Sequence, residues 1–247
     1  MTRYLGALLA AAILLVPAVR TRADDQDAKS VVDRAIKAVG GEDKLAKAET
    51  FSYKAKGTVN FNGNENDFNS DVTIKGLDHL RREFGNDQFS GLVVLSGDKG
   101  WRKFGDDTND LEGDQLGNEK RGIYLQVIPI TLVALKGKDF KIESAGEEKV
   151  GDKPALVLKI TAPDGKDFTL AFDKESGLPL KQVAKVLSFQ GEERTQETTY
   201  SDYKDLGGLK KATKIVVKRD GETFQTMEVT EFKVLDTVKP ETFAEPK

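Results

Sequence analysis

The sequence predicts an α+β fold in which one long antiparallel sheet carries the chain and a few short helices cover its apolar face. Three observations point there. The hydrophobic period is helical from Ala28 to Val39, it switches to two at Phe51, and it keeps that value in segment after segment between short turns rich in Gly, Asn and Asp.

The elements follow in chain order. MTRYLGALLAAAILLVPAVRTRADD places one arginine before an apolar run from Tyr4 to Val19, ending in small residues. That is the layout of a secretory signal peptide, with cleavage after Ala23 fitting best and Ala18 as the alternative. The run is shorter than the roughly 18 to 20 apolar residues that span a bilayer, and no second run of that kind follows. The expected mature part, residues 24–247, reads as a single domain without a Pro- or Ser-rich linker or an internal repeat.

AKSVVDRAIKAVGG sets Ala28, Val31, Val32, Ala35, Ile36 and Val39 on one stripe with Lys29, Asp33, Arg34 and Lys37 opposite, an amphipathic helix. Asp27 is placed to cap its start, and Gly40 and Gly41 can take the left-handed conformation that ends it. EDKLAKA predicts a second short helix. From Phe51, the residues Tyr53, Ala55, Gly57, Val59 and Phe61 share one face, with Lys54, Lys56 and Asn60 on the other. The alternation recurs in DVTIKG, SGLVVLSG, KPALVLKI, KDFTLAFD, TKIVVKRD and TFQTMEVTEFKVL, and the short turns between them make neighbouring segments antiparallel. One stretch breaks the rhythm. EKRGIYLQVIPITLVALKG is apolar for most of its length, and Pro129 suits the first turn of a short helix over Ile130 to Leu135. The acidic stretch before it, residues 105–119, reads as a mobile loop.

Chemistry is hard to find. In LAFDKESGLPLK, Asp173 and Glu175 fall at a hairpin tip where Gly177 supplies a positive φ, so both carboxylates are expected to face water rather than form an acid/base pair. His79 is the only histidine, cysteine is absent, and Asp106, Asp110, Glu112 and Asp114 fail the spacing of an EF-hand loop. No phosphate-binding or nucleophile-elbow motif occurs. No enzyme, cofactor or metal is expected. The chain holds 38 basic and 41 acidic residues; losing Arg3, Arg20 and Arg22 with the leader leaves 35 against 41, which argues against a nucleic-acid partner. Trp101 fits either a packed core or a cavity wall.

Six stretches taken in order resemble the LolA/LolB-like family of periplasmic lipoprotein carriers, above all its outer membrane lipoprotein-sorting members. They are VVDRAIKAVGGEDKLAKAETF, IKGLDHLRREF, LVVLSGDKGWRKF, FDKESGLPLK, YSDYKDLGGLKKATKI and EFKVLDTVKPETFAEP, and they span nearly the whole mature part. The resemblance implies an incomplete barrel of about eleven antiparallel strands around an apolar cavity closed by a helical lid. It also implies a monomeric periplasmic carrier, chaperone-like, that shields acyl chains of a lipoprotein or lipid and exchanges them with membrane-bound donor and acceptor proteins. The alternative within the fold is a non-enzymatic sensor of the envelope that binds a membrane regulatory partner. Val32, Ile36, Val39, Phe51, Tyr53, Trp101, Leu132 and Phe172 are the candidate ligand contacts, and the apolar face of the first helix is the expected lid. Family carriers fasten the lid with the arginine of an Arg-Pro pair; the matching place here reads Lys75-Gly76, so Lys75, Arg81 and Arg82 are the fastening candidates.

Overall fold

In the computed structural model, residues 22–247 are described apart from Asn62 and Phe189. The expected signal peptide, residues 1–23, lies almost wholly outside them. Among the described residues no helix is long and apolar enough to cross a membrane.

Thirteen antiparallel strands form one open sheet. From Thr50 the chain runs outward through β1 (Thr50–Phe61), β2 (Asn64–Lys75), β3 (His79–Gly85), β4 (Ser90–Ser96), β5 (Lys99–Phe104) and β6 (Asp107–Asp110). It then crosses through α3 (Gly113–Thr131) and a 3-10 turn at Val133–Lys136, and returns inward through β7 (Lys141–Val150), β8 (Lys153–Thr161), β9 (Asp167–Asp173), β10 (Pro179–Leu187), β11 (Glu193–Leu206), β12 (Leu209–Arg219) and β13 (Glu222–Val234). The spatial order is β6-β5-β4-β3-β2-β1-β13-β12-β11-β10-β9-β8-β7. Every sequential pair within each half is therefore a neighbour, and only β1 with β13 joins the halves. The two edges, β6 and β7, are linked through α3. A 19-residue helix, about 28 Å long at about 1.5 Å per residue, thus connects one edge of the open sheet to the other.

The sheet of the described residues has thirteen strands where the resemblance implies about eleven, and its two edges, β6 and β7, carry no apolar alternation. β6 is DTND and β7 is KIESAGEEKV, both largely exposed edge strands. Where β1 meets β13 the backbones come close: a Cβ on Gly57 would lie 1.8 Å from the Thr226 carbonyl oxygen, so this position admits only glycine.

Helix α1 (Arg22–Val39) starts before Asp27, which is therefore an interior residue and not its cap. Gly40 and Gly41 end it with φ of 143° and 91°, as expected. The short α2 (Glu42–Lys47) follows. Val32, Ile36 and Val39 are buried with Leu158, Phe168, Leu170 and Phe172, so α1 packs onto the β7–β10 flank as core. A second cluster joins Phe51, Val72, Leu80, Val93 and Leu95 to Ile123 and Val127 of α3. Trp101 packs with Val94 and Phe243. Val94 alternates with Val93 and Leu95, so this third cluster sits on the outer face of the sheet.

Two further expectations are corrected. Residues 113–119, read as loop, begin α3, and Pro129 lies in its last turn rather than at the start of a helix. Proline at that point removes the N–H that would bond the Leu125 carbonyl. The buried Gln182 side chain donates to that carbonyl instead, at 3.2 Å, so the helix continues through the proline. Asp173 is 4% exposed, not solvated. Its Oδ1 accepts the Glu175 N–H at 2.8 Å, and Lys153 lies 3.1 Å from Oδ2. Burial works to raise its pKa, but these bonds outweigh it and hold the carboxyl below its ordinary range. The turn is nonetheless where the sequence placed it: Gly177 has φ of 75° and sits against Arg34 and Ala38 of α1, and Glu175 is exposed.

Candidate ligand-binding site

The inner face of the sheet is filled by α1 on one flank but not at its centre. There a cavity of about 510 Å³ lies between α3 and strands β1, β2, β3 and β10–β13. Its size falls within the range of small-molecule sites. Val59 and Phe68 line it from β1 and β2, Val186 from β10, Tyr200 from β11, Ile215 and Val217 from β12, and Met227 and Phe232 from β13. Alternation puts these residues inward, and on β13 the irregularity opposite Lys54 and Ala55 brings both Met227 and Phe232 to that face.

Helix α3 supplies the roof, and its residue choice explains why the space stays open. Gln115, Glu119, Gly122, Gln126 and Pro129 recur at intervals of three and four, so they share one helical face, which lines the cavity. Gly122 contributes no side chain. Ile123 and Val127 point instead into the β1–β4 cluster, and Ile128 and Leu132 into the α1 cluster, while Leu125 belongs to that cluster and also touches the cavity. The helix therefore straddles two cores and presents a polar, small-residue stripe between them.

The roof is tied to the sheet by hydrogen bonds on both sides. Glu119 accepts from Arg82 on β3 and from Arg102 on β5, each at 2.9 Å. Burial opposes its charge, but the two guanidinium groups win and keep its pKa below the usual carboxylate range. On the opposite flank buried Arg121 donates to the carbonyls of Lys185 and Asp167 and pairs with Asp164 at 3.0 Å. Tyr53 donates to Gln126 at 3.0 Å, and burial pushes its hydroxyl pKa up to about 12. At the C-terminal end of α3 the Lys211 ammonium donates to the Ile130 carbonyl and lies 5.1 Å from the Phe232 ring centre.

Of the eight candidate contacts, Tyr53 lines the cavity. Val32, Ile36, Val39, Leu132 and Phe172 belong to the α1 cluster, Trp101 to the outer face, and Phe51 stands behind Phe232, stacked on it at 5.4 Å. Of the fastening candidates, Arg82 holds α3, Arg81 pairs with Glu83 on its own strand, and Lys75 is exposed at the end of β2. His79 is half-buried, bonded to Asp78 and edge-on to Phe243. Sequence reasoning missed Lys211, Arg102, Glu119 and Gln126. The legible signal was in LKKATKIVV, where Lys211 falls on the same parity as Leu209, Ile215 and Val217: a lysine on the apolar side of a strand.

No family model matches the chain, and no curated protein matches it. Solved structures do. A LolA superfamily protein from Nitrosomonas europaea superposes with a TM-score of 0.59 at 13% identity, over 88% of this chain and 97% of that one. The chain has the LolA-type fold. A DUF1329 family protein from Desulfovibrio piger gives 0.57 at 13% identity, over 88% and 97%. An outer membrane lipoprotein-sorting protein domain from Vibrio parahaemolyticus gives 0.56 at 11%, over 87% and 97%. In the present LolA-type sheet the helix linking the two edges is the roof, and the N-terminal helix is core.

Proposed function

We propose that this protein is a non-enzymatic periplasmic carrier that binds and shields acyl chains of a lipoprotein or lipid in the cavity beneath α3. The observation that carries the reading is an apolar-walled cavity of about 510 Å³ whose helical roof turns Gly122, Gln126 and Glu119 toward it and is tied to the sheet through Arg82 and Arg102. The physical need is plain: each buried CH₂ is worth about 0.8 kcal/mol, so an acyl chain crosses an aqueous compartment only when covered. The leader-like residues 1–23 and the likeness to a lipoprotein-sorting domain support the periplasmic setting.

Native mass spectrometry of the chain, purified from an expressing bacterium without delipidation, tests the reading. A bound acylated species, or uptake of an N-palmitoylated peptide by the ligand-free chain, is the expected result. A bare mass together with no uptake of that peptide overturns it.

A further inference from the structure

Charge is distributed unevenly between the cavity and the rest of the chain. Acidic residues outnumber basic ones overall, 41 to 38. Around the cavity the balance reverses: Arg82, Arg102, Lys210, Lys211 and Arg219 line it against Asp114 and Glu119. Glu119 is already engaged by two of those arginines.

Lys211 is a buried cavity cation without a carboxylate partner among the described residues. It is 5% exposed and lines the cavity. An ammonium has three N–H donors. Among the described residues the acceptor found for them is the Ile130 carbonyl, with the Phe232 ring alongside and no carboxylate in ion-pairing distance. Burial without a counter-charge pulls its pKa down to about 7. The inward face of β12 runs from Lys211 over Ile215 and Val217 to Arg219, roughly 26 Å at about 3.3 Å per residue. At the far end Phe61 is exposed, whereas Lys211 is buried.

We propose that the cavity selects an amphiphile with an acyl chain and a single anionic head, a carboxylate or a phosphate, whose head meets the buried Lys211 Nζ while the chain lies along β12 toward Phe61. The proposal rests on the acyl-binding reading above and narrows it. An anionic oxygen placed there accepts the remaining ammonium donors as charge-assisted hydrogen bonds in a site shielded from water, where such bonds are strongest. A neutral head leaves them unmet.

The test is displacement of neutral N-phenyl-1-naphthylamine from the full chain by palmitate, hexadecyl phosphate and hexadecanol. At least one anion should bind about tenfold or more tighter than hexadecanol, as expected of a charge-assisted contact. Which anion leads separates a fatty-acid carboxylate from a phosphate head. In Lys211→Met that preference should fall to within about twofold while hexadecanol binds as before, which certifies an intact cavity. Arg219→Gln at the far end should keep the preference. Equal binding of all three by the parent, or a preference that survives Lys211→Met, overturns the proposal; should Lys211→Met not fold, Lys211→Gln replaces it and the comparison within the parent still decides. Failure of hexadecanol and both anions to displace the dye overturns the acyl-binding reading itself.

Discussion

The two flanks of the inner sheet face are built from similar strands yet end differently. Beneath α1, strands β8 and β9 turn Leu158, Ile160, Phe168, Leu170 and Phe172 inward, and Val32, Ile36 and Val39 fill the space above them. Beneath the middle of α3, strands β12 and β13 turn Ile215, Val217, Met227 and Phe232 inward, and Gly122 and Gln126 leave the space unfilled. The strands supply apolar surface in both places. What separates a core from a cavity is the residue size and polarity on the covering helix.

The sharpest way to break this contrast is a charge under α1. Ile36 is 3% exposed, so Ile36→Glu buries an unpaired carboxylate and should cost several kcal/mol, read as loss of the cooperative unfolding transition near the parent's midpoint. A variant that folds as well as the parent would mean that α1, not α3, is the movable cover.

A smaller effect belongs to the roof. Glu119→Gln removes the charge that Arg82 and Arg102 share and should cost about 1–3 kcal/mol, with faster hydrogen exchange confined to the α3 amides. The same loosening should come with acid. Because the Glu119 pKa is depressed in the fold, its stabilising contribution is present above the ordinary glutamate value near about 4.3 and is lost as pH falls below it. Exchange that accelerates equally in α1 and α3 would remove the distinction between core and roof.

Smallest is the turn that docks on α1. Asp173→Ala deletes the acceptor for the Glu175 N–H and the Lys153 partner, and about 1–2 kcal/mol of stability should go with it. Glu175→Gln, at an exposed position, should stay within about 0.5 kcal/mol. Similar values for the two would mean that the carboxylates are equivalent decorations of the tip.

The contrast also explains what the sequence disclosed. Strands β1, β4, β8, β9 and β12 carry apolar segments set between short turns, and α1 carries a clean stripe, so their presence and pairing were legible. β7 was not, because an exposed edge needs no apolar face. Helix α3 was half legible: its apolar residues serve two cores on different sides, so no single stripe forms, and Pro129 signals a helix start while a distant Gln182 repairs the bond it breaks. The expected lid went to α1 for the same reason, since an apolar face announces a partner without saying whether that partner is filled core or cavity. Arg82 was within reach of the family resemblance, whereas Glu119 and Lys211 acquire meaning only when the link between the two sheet edges folds across the centre.

Filling the cavity under α3 from the helix itself shows whether that cavity binds the ligand. A Cβ on Gly122 would meet nothing nearer than the Gln126 side-chain nitrogen at 3.9 Å, and leucine is the better helix former by roughly 0.5–1 kcal/mol. Gly122→Leu should therefore melt at or above the parent temperature while losing most of its affinity for N-phenyl-1-naphthylamine. A variant that is equally stable and binds the dye as the parent does would place the ligand outside the cavity under α3.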